Sequence, residues 1–162
     1  MKLTPIETPD LFKLLGYLDA VADFIRRGEL KWYFDAQLFD CEGNFSDVRS
    51  LIKTAYPDSK PELADIDEAS ISDLVATLKH EFSKWLEPAE AEKLLKPVTD
   101  MRNELWQHLK ECVDYENARV FEYYTRDTMD DFGAGGITGN FAAVILNETQ
   151  KRCLMLSGGD CD

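Results

Sequence analysis

The sequence predicts an α+β fold in which a helix-rich N-terminal two-thirds packs on a C-terminal antiparallel β-meander of three or more strands. Apolar residues recur at helical spacing through most of the chain up to about residue 115. After Asn117 they occur in short, strand-like runs. Helices followed by strands are typical of α+β domains, with the helices on one face of the sheet. The 162 residues suffice for one core, so we predict a single domain over 1–162.

The first predicted helix begins at Thr8, with the threonine as N-cap and Pro9 at the first helical position, and it ends at Gly28. Its apolar stripe consists of Leu11, Leu14, Leu15, Leu18, Val21, Ala22 and Ile25. An aromatic-rich segment at about 30–39 then predicts a strand, although a short helix fits it nearly as well.

The middle of the chain is predicted to be helical apart from one acidic loop. Ser46 is expected to cap a short helix that reaches Ala55. The segment 57–69, "PDSKPELADIDEA", contains two prolines and mostly acidic charges, and it predicts a loop. Ser70 and Asp73 resemble a capping box that opens a helix ending at Pro88. A further helix is predicted over 97–115, with Val98, Met101, Leu105, Leu109, Cys112 and Val113 on its apolar side.

The C-terminal segments predict a three-stranded meander over 118–158 with one long loop. "RVFEYYTR" alternates as a strand does, and "NFAAVILNE" and "RCLMLSG" are apolar runs joined by a short polar link. The run from Phe141 to Leu146 is almost continuously apolar, which predicts a central strand covered on both faces.

The charge balance limits the classes of partner. The chain has 31 acidic residues against 18 lysines and arginines, which gives a formal net charge of -13. Such a surface repels phosphate backbones and anionic lipids, so direct nucleic-acid or membrane binding is disfavoured and a basic protein partner is favoured. Acidity that serves solubility alone would give the same composition. Without an export signal, the four irregularly spaced cysteines predict reduced thiols and a cytoplasmic protein.

The stretch "DTMDDFGAGGITGN", residues 127–140, is the most distinctive loop in the sequence. A phosphate cradle requires glycines ahead of a helix and usually a lysine, but here a predicted strand follows and no lysine or arginine is present. Its aspartates could supply oxygens to a hard cation, but the order of an EF-hand loop is absent. "DCEGNFSD", from Asp40 to Asp47, departs from that order too. Solvated turns are therefore expected at both places.

Other catalytic and metal-binding patterns are weak. His108 and Cys112 lie four residues apart on one predicted helix and, with Cys153 and Cys161, could complete a zinc tetrahedron. No CxxC pair supports this site, and Cys112 falls on the buried stripe, where a free cysteine behaves as a small hydrophobe. The nucleophile pattern G-x-S-x-G does not occur. We therefore assign no catalytic residue, no metal ligand and no cofactor.

A contact surface is the remaining interpretation of the long loop. Asp127, Asp130 and Asp131 would steer a basic partner, and Phe132 and Ile137 would anchor it, although a loop without a role fits equally well. The rest of the predicted partner-binding set comes from the acidic segment and from one tryptophan beside its helix's apolar stripe: Asp65, Asp67, Glu68 and Trp106. Packing within the fold is the alternative for Trp106.

These observations predict a small acidic cytoplasmic protein that blocks a basic protein, including one that itself binds nucleic acid, as nuclease inhibitors, immunity proteins and DNA mimics do. The alternatives are a metal-dependent enzyme that combines the loop aspartates with Asp40 or Glu42, and a structural or oligomeric subunit. The sequence leaves open the oligomeric state and whether the strand at 30–39 joins the C-terminal sheet.

Overall fold

A computed structural model describes residues 2–25, 31–43, 47–70, 72–74, 100, 103–124 and 137–161. The described strands form one antiparallel sheet of order β1-β2-β6-β5-β4-β3. Their bounds are β1 (Lys2–Pro5), β2 (Lys31–Glu42), β3 (Asp65–Ala69), β4 (Arg119–Tyr124), β5 (Ile137–Asn147) and β6 (Arg152–Cys161). The hairpin β5–β6 therefore lies at the centre of the sheet, and β1 and β3 are its terminal strands.

The predicted architecture, a helix-rich N-terminal part on a C-terminal meander, is wrong because strands span the chain. β4, β5 and β6 are neighbours, as the meander requires, but they form only part of a larger sheet. The predicted strand at 30–39 is β2, and it joins this sheet directly, with Phe39 opposite Cys153 on β6. The added strands pair with residues far away in the chain, and local sequence patterns do not reveal such pairing.

The helices largely begin where the sequence places them. α1 (Pro9–Ile25) has the predicted N-cap, since the Leu11 N–H donates to Thr8 Oγ1 at 3.1 Å. α2 (Val48–Ala55) is capped by Asp47 rather than Ser46, and the Asp47 carboxylate accepts from the Arg49 N–H at 3.1 Å. Residues 103–112 are helical within the predicted range, whereas 75–99 lie outside the described residues. No helix in the described ranges is long and apolar enough to cross a membrane.

Helices cover both faces of the sheet, not one face as predicted. Side chains alternate along a strand, so β5 directs Ala143 and Ile145 to one face and Val144 and Leu146 to the other. The first pair packs with α1 and the helix at 103–112, and we call this side the α1 face. The second pair packs with α2, on the α2 face. All four residues are fully buried, which confirms the two-sided coverage predicted for this strand.

The segment 57–69, predicted to be a loop, contains a 3-10 turn over Pro61–Leu63 and the whole of β3. The prolines and acidic residues obscured the strand, because β3 has only five residues and its pattern is mostly polar. Pairing with β4 makes this segment a strand, and its register runs from Asp65 opposite Tyr124 to Ala69 opposite Val120.

Candidate functional site

Three of the predicted contact residues lie on β3, at one edge of the sheet. Asp65, Asp67 and Glu68 are all exposed to solvent. β3 is bonded to β4 on one side, and it is the last strand in the order of the described sheet. We call residues 62–68, which include the turn before the strand, the acidic edge.

Apolar and acidic side chains are interleaved on the acidic edge. Ala69 packs at the α1 face and Ile66 at the α2 face. Because side chains alternate, Asp65 and Asp67 share the α1 face, whereas Glu68 shares the α2 face with Ile66. Leu63, just before the strand, is 73% exposed, which is unusual for a large apolar side chain. The edge therefore offers both charge and apolar contact to a partner.

Cationic side chains of α2 fix the chain that leads into β3. The Arg49 guanidinium donates through Nη1 to the carbonyl oxygens of Pro61 and Ala64, the latter at 2.9 Å. Lys53 donates through Nζ to the carbonyl oxygen of Ser59, a residue that is fully buried. These bonds supply donors to carbonyl groups that would otherwise need hydrogen bonds from water, and they fix the chain just before β3.

Glu68 is neutralised inside the molecule. Arg119 on β4 donates to both of its carboxylate oxygens, Nε to Oε1 at 2.8 Å and Nη2 to Oε2 at 3.1 Å. These hydrogen bonds, and then the positive charge of Arg119, lower the pKa of Glu68. The guanidinium also lies over the Phe121 ring at 4.8 Å, and Glu148 approaches it at 3.6 Å. Arg119 is therefore already committed to carboxylates of its own chain.

Asp65 and Asp67 differ from Glu68 because neither forms an ion pair with another described residue. Asp67 also lies opposite Glu122, a largely buried residue of β4. Like charges directly opposite each other in antiparallel strands destabilise the pair. Within the described residues, these two aspartates are therefore the carboxylates of β3 without an ion-pair partner.

The loop aspartates of the predicted set, Asp127, Asp130 and Asp131, lie outside the described residues, as does Phe132. Ile137 is the first residue of β5, where its backbone pairs with Cys161. Tyr124, the last described residue before this loop, lies opposite Asp65. The two predicted acidic segments are therefore joined to the same end of the β3–β4 pair. A contact role for the loop stays a prediction.

Trp106 lies on the helix at 103–112 and is half-buried against the α1-face core. Its indole meets the Tyr115 ring edge-on, with ring centroids 6.1 Å apart. The buried Nε1 has no hydrogen-bond partner among the described residues. These contacts correspond to packing within the fold, and a role as a contact residue stays a prediction.

The zinc tetrahedron considered from the sequence does not assemble. Cys112 lies in the α1-face core and Cys153 in the α2-face core, so the sheet separates them. The described residues include no group of three His, Cys, Asp or Glu side chains placed to hold a metal. Burial raises the pKa of Cys112 to about 11, so its thiol is neutral at physiological pH. Cys112 acts as an apolar core residue.

The near-EF-hand stretch from Asp40 to Asp47 has other uses in the fold. Asp47 caps α2, and Asp40 lies 3.6 Å from the Arg152 guanidinium. Asp40 and Arg152 belong to the end of the sheet at which β5 finishes, whereas the long loop precedes Ile137, where β5 begins. The two ends of β5 are roughly 30 Å apart at the usual rise of a strand.

Sequence reasoning missed Leu63, Ile66 and Arg119 as members of the site. Because 57–69 was predicted to be a loop, its side chains were not assigned to either face of a sheet. The alternation in "DIDEA" was the available signal, since acidic residues at positions 65 and 67 flank an isoleucine. The pairing of Arg119 with Glu68 depends on strand register and has no local signal.

Comparison with known proteins identifies a fold but no family. No family model matches the chain, and no curated protein matches it. Among solved structures it is similar to citrus MAF1 in two crystal forms. In space group P 31 2 1 the identity is 17%, with 90% of this chain and 97% of that chain covered and a TM-score of 0.57. In space group C 2 2 21 the identity is 16%, with 90% of this chain and 98% of that chain covered and a TM-score of 0.58. Such identities show a shared fold alone.

Proposed function

We propose that this protein is a small acidic binding protein that blocks a basic surface on a protein partner. The observation that carries the proposal is the pair of carboxylates without an ion-pair partner in the described residues, Asp65 and Asp67, on an exposed terminal strand. The formal net charge of -13 supports it, because it favours encounter with cationic surfaces. A partner that binds nucleic acid through that surface is one form of this function, as for immunity proteins or DNA mimics.

Both components of the acidic edge contribute to this function. Carboxylates at the rim of an interface mainly raise the association rate and select the partner, and each exposed pair adds at most about 1 kcal/mol. Affinity depends more on apolar groups that become buried. Leu63 and Ile66 supply such groups beside Asp65 and Asp67.

A reducing compartment such as the cytoplasm is part of the proposal. Cys41, Cys112 and Cys153 are free and buried. Burial also raises the pKa of Cys153 and Cys112, so both thiols are mainly neutral and unreactive near pH 7. These features support a protein whose cysteines serve packing rather than cross-linking.

The alternative of a metal-dependent enzyme gains no support from the described residues. It required the loop aspartates to act together with Asp40 or Glu42. The register places those two residues near Arg152 and Lys2, at the far end of the sheet from the beginning of β5. We therefore advance only the binding function.

The test is a pull-down from source-cell lysate with charge-matched variants. Asp65→Asn/Asp67→Asn removes two negative charges from the acidic edge, and Asp19→Asn/Asp23→Asn removes two from the exposed side of α1. We expect the wild type and the α1 variant to retain one stoichiometric basic protein, and the edge variant to lose it. The edge variant should fold normally, since Asp65 and Asp67 are exposed and form no ion pair with another described residue.

Salt dependence gives the second readout. Partner retention should fall strongly between about 50 and about 500 mM salt, because the Debye length shrinks below the separation of exposed charges. If both variants retained the partner equally, or if the amount retained did not change with salt, the role of the acidic edge would be refuted. A lysate from which no basic protein is retained at low salt would refute the function as a whole.

A further inference from the structure

β3 presents the backbone of a sheet edge. In an antiparallel pair the N–H and C=O groups of alternate residues point in opposite directions, so half of those in β3 point away from β4. No other described strand pairs with that outer side. Exposed edges of this kind are templates for an added strand.

The two terminal strands of the sheet differ in how they resist such addition. β1 has only four residues, and it contains Lys2 and Pro5, a lysine and a residue without an N–H. Lysine and proline are typical protections of an edge. β3, "DIDEA", has neither, and its only charges are acidic. The composition of β3 therefore disfavours the addition of an acidic strand and favours the addition of a basic one.

We propose that β3 accepts an extended basic segment of the partner protein as an additional strand of the sheet. The inference rests on the proposed function and specifies how the partner binds. Backbone hydrogen bonds to the outer side of β3 would give the segment its direction, and side-chain pairing would select its sequence.

A second copy of this chain does not suit the same edge. Pairing of β3 with β3 would bring Asp65, Asp67 and Glu68 against the same carboxylates of the other copy. Like charges directly opposite destabilise a strand pair, whereas opposite charges stabilise it. The composition of β3 therefore selects a cationic strand over self-association.

The pairing of Glu68 with Arg119 shows the expected chemistry on the inner side of β3. There an arginine of the neighbouring strand binds a β3 carboxylate through two hydrogen bonds, at 2.8 and 3.1 Å. Asp65 and Asp67 share the α1 face, with Ile66 between them in the chain, and they offer two such positions to a strand added at the outer edge. Ile66 lies on the opposite face, so an apolar residue suits the intervening position. The segment recognised is one in which basic and apolar residues alternate.

The probe is a short fluorescent peptide in which arginine and valine alternate, titrated into the full chain at low salt and followed by anisotropy. Two further peptides carry N-methyl groups, one on every arginine amide and the other on every valine amide. Strand addition predicts that one methylated peptide binds at least about tenfold more weakly and the other nearly as well as the parent, because only alternate amides face β3. Equal binding by all three peptides, or no saturable binding, would overturn the inference.

The variants locate the peptide on the molecule. Asp65→Asn/Asp67→Asn should weaken peptide binding by about tenfold or more, whereas Asp19→Asn/Asp23→Asn should change it by less than about threefold. Equal weakening by both variants would mean that the peptide responds to net charge only, and it would refute the edge as its site. Concentration-dependent dimerisation that becomes stronger in the edge variant would instead show self-pairing through β3, because the variant removes the opposed carboxylates.

The outcomes separate this inference from the proposed function. If a basic partner depends on Asp65 and Asp67 in the pull-down but the methylated peptides bind alike, the binding function stands and strand addition is wrong. If neither the partner nor the peptide is retained, both are wrong.

Discussion

Individual carboxylates of this protein fall into two groups according to what they contact. Asp47 and Asp73 accept hydrogen bonds at helix starts, from Ser50 and Ser70 respectively, and Glu68 accepts two from Arg119. These hydrogen bonds are the main reason that the pKa of each of the three is lowered. Asp65 and Asp67 have no such described contacts. Within the described residues, a partner can neutralise Asp65 and Asp67 without breaking an ion pair or a side-chain hydrogen bond.

At the residue scale, Asp47→Ala should destabilise the protein by about 1 kcal/mol at pH 7, the usual value for loss of an N-cap. The pKa of Asp47 is lowered in the fold by Ser50 and the adjacent backbone N–H groups. Its contribution is therefore present above the unfolded pKa of about 4 and is lost as the pH falls through the folded value. Urea denaturation should show the difference from wild type at pH 7 and a smaller one at pH 3. Asp58→Ala, in an exposed turn, should change stability by less than about 0.5 kcal/mol, and an equal loss there would contradict the cap.

Cys112 should contribute stability that is lost as the pH rises, the opposite of the dependence expected for Asp47. Its pKa is raised to about 11 by burial, and then by nearby Asp10 and Glu111. The unfolded thiol ionises near pH 8.5 and the folded thiol does not, so its contribution to stability is full below about pH 8.5 and is lost towards pH 11. We expect Cys112→Ala to be less stable than wild type at pH 8, and the gap to narrow at pH 10.5. The difference between the two free energies of unfolding removes the titration of Cys153 and the lysines, which both proteins share. A difference that does not change with pH would refute the effect.

At the scale of elements, local pattern predicted those whose apolar residues repeat over several turns or alternate in long strands. α1, the helix at 103–112 and the β5–β6 hairpin are of this kind. β1 and β3 have four and five residues, and their pairing makes them strands: Leu3 lies opposite Cys41, and Ile66 opposite Tyr123. The candidate site, too, could be predicted from local pattern only in part. Its carboxylates were identified from composition, but their shared face and the pairing of Glu68 depend on that register.

The turn between β5 and β6 is tied to the chain after the helix at 103–112 by Asn147. This buried side chain donates through Nδ2 to the Asp114 carbonyl at 2.7 Å and accepts through Oδ1 from the Gln150 N–H at 2.8 Å. Gln150 in turn accepts through Oε1 from the Asp114 N–H at 3.0 Å. The three residues thus join the central hairpin to the α1 face.

Asn147→Ala should therefore destabilise the protein by about 2 to 4 kcal/mol, because it removes two hydrogen bonds and leaves the Asp114 carbonyl without this donor. Gln150→Ala removes one exposed bond and should cost about 1 kcal/mol or less. Urea denaturation of both variants measures the difference. Equal losses would show that burial of the amide does not matter at this position.

For the molecule as a whole, the arrangement of layers explains why an edge is the candidate site. Helices cover both faces of the central strands, so the described sheet meets solvent mainly at its ends and its terminal strands. One terminal strand has proline and lysine, and the other has two aspartates that form no ion pair with another described residue. A partner that added to β3 would extend the sheet without opening either core.

The acidity of the whole chain predicts how its stability responds to salt. A net charge of -13 repels itself across a small domain, and added salt screens that repulsion. The melting temperature at pH 7 should therefore rise between about 20 and about 300 mM KCl, as the Debye length falls towards a few ångströms. Near pH 4.5, where carboxylates take up protons, the rise should largely disappear. A melting temperature that falls with salt at pH 7 would contradict this expectation, and it would mean that attractive pairs such as Arg119 with Glu68 outweigh the repulsion.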